Sequence, residues 1–172
     1  MKIYTVLLAA GMALAGPATA KDIFKVVYVV DGDTIKVALA SKVESVRLIG
    51  IDTPESKPNK KAKKDATRSG EDLKAIVSLG KAAAEFTKTL LKPGDLVSIE
   101  LDVQPRDRYG RILAYVYLKS GKMLNEEIIS AGYASVMTIP PNVRHQERFQ
   151  AAYRAAWKGK RGLWASPPKN GP

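Results

Sequence analysis

The chain has 172 residues, with 28 Lys and Arg against 17 Asp and Glu, a net charge of +11, one histidine and no cysteine. Those counts exclude disulfides and a thiol nucleophile, and they argue strongly against a zinc site. So strong a positive field points to a polyanionic partner, nucleic acid or an anionic surface, although high charge alone also serves solubility.

The first twenty residues read as a leader. Lys2 precedes the apolar run Ile3–Ala15, and Ala18-Thr19-Ala20 supplies a small-x-small cleavage signal. The run is shorter than the ~20 residues of a membrane span, so no stable span is expected. Residues 1–20 are therefore expected to be a signal peptide for a secreted or periplasmic protein. Removing 20 of 172 residues takes one lysine and no acid, leaving 152 residues at net charge +10. That is enough for a single domain over 21–166, expected as a monomer, with 167–172 a disordered tail.

Lys21–Val30 is rich in β-branched and aromatic residues and predicts a strand buried over much of both faces. Asp31-Gly32 then gives a strong hairpin signal before Ile35–Ala38 resumes the strand pattern, and Asp33 alone would be a turn residue. Lys42–Ile51 is a third strand. It ends in Asp52-Thr53-Pro54-Glu55, where Pro54 stops it by fixing φ and removing a donor. The polar residues here exceed what a turn needs. Asp52, Thr53 and Glu55 offer oxygens to a hard cation, and Arg47 offers a planar fork suited to phosphate or carboxylate; a plain Arg47–Glu55 salt bridge is the alternative.

Residues 56–70 carry Lys57, Lys60, Lys61, Lys63, Lys64 and Arg68 against Asp65, with no apolar period, and predict a mobile, exposed loop. The run is either a solvated charge cluster or a set of lysines that hold a phosphate backbone. Glu71–Leu91 is helical, with Gly80 marking a break or a second start and Pro93-Gly94 the stop. Leu96–Leu101 and Ile112–Leu118 are two further strands, and between them Pro105–Arg111 is a turn that delivers Arg111 to the start of the second. Three arginines around Tyr109-Gly110 are more than a chain reversal requires.

Leu124–Ala131 is a short helix stopped by Gly132, and Tyr133–Ile139 is extended. Arg144–Lys158 is a helix whose stripe of Phe149, Ala152, Tyr153, Ala156 and Trp157 packs on the core; His145 reads as a surface residue, and Trp164 tucks the tail back. Five strands with a meander start and about three packed helices define an α+β, mainly β, fold: a five-stranded OB-fold barrel.

The order of the polar motifs is more specific than the strand count. Val30–Thr34, Arg47–Glu55, Asp107–Arg111 and Gly121–Glu126 together resemble the thermonuclease (staphylococcal nuclease-like) family over about Phe24–Trp164. The resemblance implies calcium held by Asp33, Asp52 and the Thr53 carbonyl. It implies Arg47 and Arg111 on the scissile phosphate, Glu55 as general base and Tyr109 near a nucleotide phosphate. Lys57, Lys60 and Lys61 are the candidate substrate-binding lysines. The implied activity is calcium-dependent hydrolysis of phosphodiester bonds in DNA and RNA, giving 3′-phosphorylated products. Between Tyr133 and Pro140 the chain lacks the tyrosine that in the family packs on the base. The competing readings are a catalytically silent OB-fold nucleic-acid-binding protein and an exported cationic protein that binds anionic envelope polymers.

Overall fold

A computed structural model describes residues 22–39 and 41–165. The expected signal peptide (1–20) and tail (167–172) lie outside the described residues. Strands β1 (Ile23–Asp31), β2 (Thr34–Leu39) and β3 (Lys42–Leu48) form the expected meander, with Asp31 paired to Thr34 across the Gly32-Asp33 turn. The chain continues through β4 (Gly50–Asp52), helices α1 (Lys60–Ser69) and α2 (Leu73–Leu90), β5 (Leu96–Arg106) and β6 (Ile112–Tyr117). Helix α3 (Leu124–Ser130), β7 (Ser135–Met137), helix α4 (Gln146–Lys158) and a 3-10 turn at Gly162–Ala165 complete it.

Five strands close a barrel in the order β1-β2-β3-β6-β5, as expected, while β4 and β7 form a separate two-stranded ribbon. Closure is made by parallel pairing of β3 with β6, which sets Arg47 opposite Leu113. Inside lie Val26, Ile35, Val37, Val46, Leu48, Val97, Ala114 and Val116; Ile128, Ile129 and Phe149 of the helices complete the same core. Tyr115, 1% exposed, fills part of this core and donates its hydroxyl to Asp102 at 2.9 Å.

Several expectations need correction. Strand β1 is not buried on both faces: it carries two irregularities, and Tyr28 and Val30 turn outward into a cleft. The single strand expected over 42–51 is two. At Gly50 φ is +79°, and a Cβ there would lie 2.6 Å from the Phe149 ring, so glycine lets the chain leave the barrel and pass under α4. Strand β5 runs to Arg106, beyond the expected turn start at Pro105, because the Asn142 amide bonds the Gln104 backbone N–H (2.8 Å) and carbonyl (2.9 Å).

The largest departure is α1, in the segment expected to be a loop. Its N-cap is Asn59, which accepts from Ala62 N at 2.8 Å, and Gly70 ends it at φ +73°. Its apolar stripe is two alanines, Ala62 and Ala66, packed against Ile76; a search for large apolar residues passes over so thin a stripe. Helix α2 is continuous through Gly80, which lies against the Glu55–Ser56 backbone: a Cβ there would sit 2.2 Å from the Glu55 carbonyl oxygen. His145 is not a simple surface residue; it stands edge-on to Tyr115 with ring centroids 4.4 Å apart, and its Nε2 lies 3.3 Å from Glu100. Trp164 does return the chain to the domain, packing on Tyr153 and Trp157.

Candidate active site

One open cleft of about 910 Å³ collects side chains from β1, β2, β3, β4, α1 and the β5–β6 turn. Asp33, Arg47, Asp52, Glu55, Lys61, Tyr109 and Arg111 all line it. Three stretches distant in sequence therefore meet on one rim of the barrel, and both arginines face the same space as the acids.

Arg47 is 8% exposed and held at both tips. Its Nη1 donates to the Leu48 and Ile51 carbonyls, each at 2.8 Å, and its Nη2 lies 3.1 Å from Asp33 and 3.2 Å from Asp52. The kink at Gly50 makes this possible by turning the Ile51 carbonyl and Asp52 back towards β3. Arg47–Glu55 pairing, the alternative considered from sequence, is not what the fold builds. Asp33 is 7% exposed; Thr53 donates to its Oδ2 from both backbone N–H and hydroxyl at 3.1 Å, and Thr34 donates to Oδ1 at 3.0 Å. Helix α2 fixes the turn beneath it, since Thr87, fully buried, donates to the Gly32 carbonyl at 2.9 Å.

Across the cleft Arg111 is braced by Asp107, which accepts from its Nε at 2.7 Å and from its backbone N–H at 3.0 Å. Burial works against the Asp107 carboxylate, but these donors outweigh it and hold its pKa below the usual range. Tyr109 is 69% exposed, and the guanidinium carbons of Arg108 and Arg111 lie 4.9 Å and 5.6 Å from its ring centre. Lys57 and Lys60 are exposed and do not line the cleft.

Lys61 is placed differently from the expected loop lysine. Its ammonium points into the acids, donating to the Thr53 carbonyl at 2.9 Å and lying 3.3 Å from both Asp52 and Glu55 and 3.5 Å from Asp65. Burial opposes its charge, but Asp52, Glu55, Asp65 and Asp33 prevail and raise its pKa. The Asp52 pKa is raised as well: burial raises it most, Lys61 pulls it down, Asp33 adds to the rise and Arg47 opposes it. Asp31, on the same rim, is also raised, by burial first and then by Asp33 and Glu55.

Among the described residues no three His, Cys, Asp or Glu side chains converge closely enough to form a metal site by themselves. The donor set nevertheless suits a hard cation. The Thr53 carbonyl and the Asp52 and Glu55 carboxylates already surround one positive charge, that of Lys61, and all are oxygens of the kind calcium prefers. Three contributors went unread in the sequence. Asp107 opens the Asp107–Arg111 motif but was given no role there, although Asp107 and Arg111 stand four apart. Asn59 donates to Glu55 Oε2 at 2.6 Å, and its signal was its place as a cap before a lysine-rich helix. Asn125, fully buried, accepts from Val116 N at 3.0 Å and donates to the Ile49 carbonyl at 2.9 Å, clamping the strand that leads into the site.

A small barrel whose mouth sets two guanidinium groups and a cluster of carboxylates around one cleft is the construction of an enzyme that works on phosphate esters. Comparison with known proteins makes this specific. The family model of staphylococcal nuclease homologues matches residues 45–166, and the chain belongs to that family. It is 38% identical over 158 residues to the thermonuclease of Staphylococcus hyicus, covering 91% of this chain and 82% of that protein. It is 37% identical to the thermonuclease of Staphylococcus intermedius, over 79% of this chain and 72% of that protein. A third relative, endonuclease YhcR of Bacillus subtilis, is 36% identical over 79% of this chain, which corresponds to 11% of that longer protein. The chain is thus a nuclease that hydrolyses phosphodiester bonds.

Proposed function

We propose that the chain is an exported, calcium-dependent nuclease that cleaves both DNA and RNA to 3′-phosphorylated products. The observation that carries this reading is the convergence of Asp33, of Arg47, Asp52 and Glu55, and of Arg111 on one cleft from three separated stretches of chain. Export rests on the leader pattern of residues 1–20, and no helix among the described residues is long and apolar enough to cross a membrane.

A phosphodiester gains negative charge on its equatorial oxygens as water attacks in line. Arg111, presented by Asp107, and Arg47, through the Nε–H that faces no protein acceptor among the described residues, supply fixed positive charge to those oxygens. Glu55 orients the attacking water and accepts its proton. The water oxygen bonds to phosphorus, the bond to the 5′ oxygen breaks, and that oxygen takes a proton from solvent water, so the phosphate stays on the 3′ side. Asp33, Asp52 and the Thr53 carbonyl are the groups that would hold calcium, whose charge would stabilise the transition state. Tyr109, with Lys57 and Lys60 at the exposed margin, would contact neighbouring phosphates.

Purified protein is incubated with single-stranded DNA and with RNA, in calcium and then with a chelator, and the new ends are mapped. Cleavage in calcium that stops on chelation is expected; intact nucleic acid in calcium, or equal cleavage with chelator, refutes the proposal.

A further inference from the structure

We propose that Lys61 is a tethered occupant of the cation position, so that a divalent cation binds by expelling its ammonium and thereby releases helix α1 from the rim of the cleft. The inference rests on the calcium reading above and adds a competitor that belongs to the chain itself.

The geometry is that of a cation in an oxygen cage. The Lys61 Nζ lies 2.9 Å from the Thr53 carbonyl oxygen, 3.3 Å from Asp52 Oδ2 and 3.3 Å from Glu55 Oε1. Two of those three oxygens belong to residues assigned to the metal, and the third belongs to the proposed base. Calcium needs the same oxygens at about 2.3–2.6 Å, which would bring two positive charges within a few ångströms of each other, where they repel strongly. One positive charge must leave before the other enters. A lysine can leave: its head sits on a flexible four-carbon stem, and the Lys61 side chain is already 35% exposed.

Its departure would loosen more than one side chain. The ties that hold helix α1 to the rim include Lys61, the Asn59 to Glu55 hydrogen bond at 2.6 Å, and a small apolar cluster of Ala62 and Ala66 on Ile76, flanked by Leu73 and Val77. Asn59 and Lys61 both hold Glu55, so these two ties share a carboxylate whose position the cation also sets. Once expelled, Lys61 joins the exposed Lys57 and Lys60 at the margin where a phosphate backbone would pass. The sequence expectation of a substrate-facing lysine then describes the cation-bound state.

A competitor that fills the site about 70–90% of the time raises the apparent dissociation constant about three- to tenfold. Calcium binding is therefore measured by titration calorimetry on the wild type, Lys61→Met and Lys64→Met, with the fold of each checked by circular dichroism. Lys64 is exposed on the same helix and removes an equal charge without touching the acids. We expect Lys61→Met to bind calcium about three- to tenfold more tightly and Lys64→Met to stay within about twofold of wild type. Should Lys61→Met misfold, Lys61→Gln removes the charge while keeping a polar side chain on the same helix position. Independently of any variant, amide hydrogen exchange over residues 60–69 of the wild type should accelerate when calcium is added. Unchanged or weaker calcium affinity in Lys61→Met overturns the proposal, as does equal tightening in Lys64→Met or α1 exchange that slows or stays constant in calcium. An absence of calcium binding in every protein instead overturns the calcium reading on which it stands.

Discussion

Replacing Gly80 by alanine sets two effects of opposite sign against each other. In the interior of a helix alanine is better than glycine by about 1 kcal/mol. Here, however, the added methyl would lie 2.2 Å from the Glu55 carbonyl oxygen, 2.3 Å from its carbon and 2.6 Å from Ser56 N, where ordinary contact begins at 3.4 Å. The neighbouring backbone must therefore retreat by roughly 1 Å, which as overpacking costs about 1–3 kcal/mol. The net is a loss of up to about 2 kcal/mol, which leaves the domain folded. Function should suffer more, because the retreating segment carries Glu55, and misplacing a reacting group by about 1 Å costs on the order of 100-fold in rate. Urea denaturation reads the first quantity, and initial rates on single-stranded DNA in saturating calcium read the second. A Gly80→Ala protein that is more stable than wild type and within about threefold of its rate would refute the reasoning.

Arg111→Ala should cost about 3–4 kcal/mol of transition-state stabilisation, as for loss of one preorganised donor; turnover within about threefold of wild type would remove Arg111 from the mechanism. Asn125→Ala leaves the Val116 N–H and the Ile49 carbonyl buried without their partner, at about 1–3 kcal/mol each, so a loss of about 3–5 kcal/mol is expected in urea denaturation and a loss below about 1 kcal/mol would contradict it. Glu100 gives a pH dependence. Burial would raise its pKa, but donors from Tyr117, Arg144 and His145 bring it down to about 2 from an ordinary 4.5. A carboxylate with a lowered folded pKa contributes stability that is complete above 4.5 and disappears as pH falls towards 2. With solvent screening of the half-exposed Arg144 taken into account, about 1 kcal/mol should be lost over that window. Glu100→Gln should show a correspondingly shallower acid loss, and identical acid profiles would contradict the assignment.

The barrel was legible because its information is local: alternating β-branched runs, the Asp31-Gly32 hairpin signal (the turn itself falls on Gly32-Asp33) and the Pro93-Gly94 stop each act over a few residues. The residues that line the candidate cleft could be gathered from the sequence because their motifs fall in the order of one family, although Asp33 alone reads as a turn residue and Arg47 with Glu55 as a salt bridge. What stayed hidden depends on contacts across the fold. Gly80 looks like a helix breaker until the Glu55 backbone is seen lying on it, and Gly50 looks like one more strand residue until Phe149 is placed above it. Helix α1 was missed because Ala62 and Ala66 carry so little apolar surface that six cationic residues dominate the reading. Tertiary cover from Ile76, with the Asn59 cap, decides in favour of helix. Lys61 shows the same limit for chemistry: its residue type announces a charge, and only the fold reveals which oxygens receive it.

Because β3 and β6 run side by side in parallel, with Arg47 facing Leu113, the span from Arg47 to Arg111 is fixed by ladder register. Neither jaw of that clamp can drift unless the barrel unzips. The opposite bank, residues 56–72, hangs on two alanines and a handful of polar ties. Insertions and deletions should accordingly be tolerated better on that bank, away from Ser56 and Lys61, while a single residue added between Arg111 and Ile112 would throw the jaws out of step.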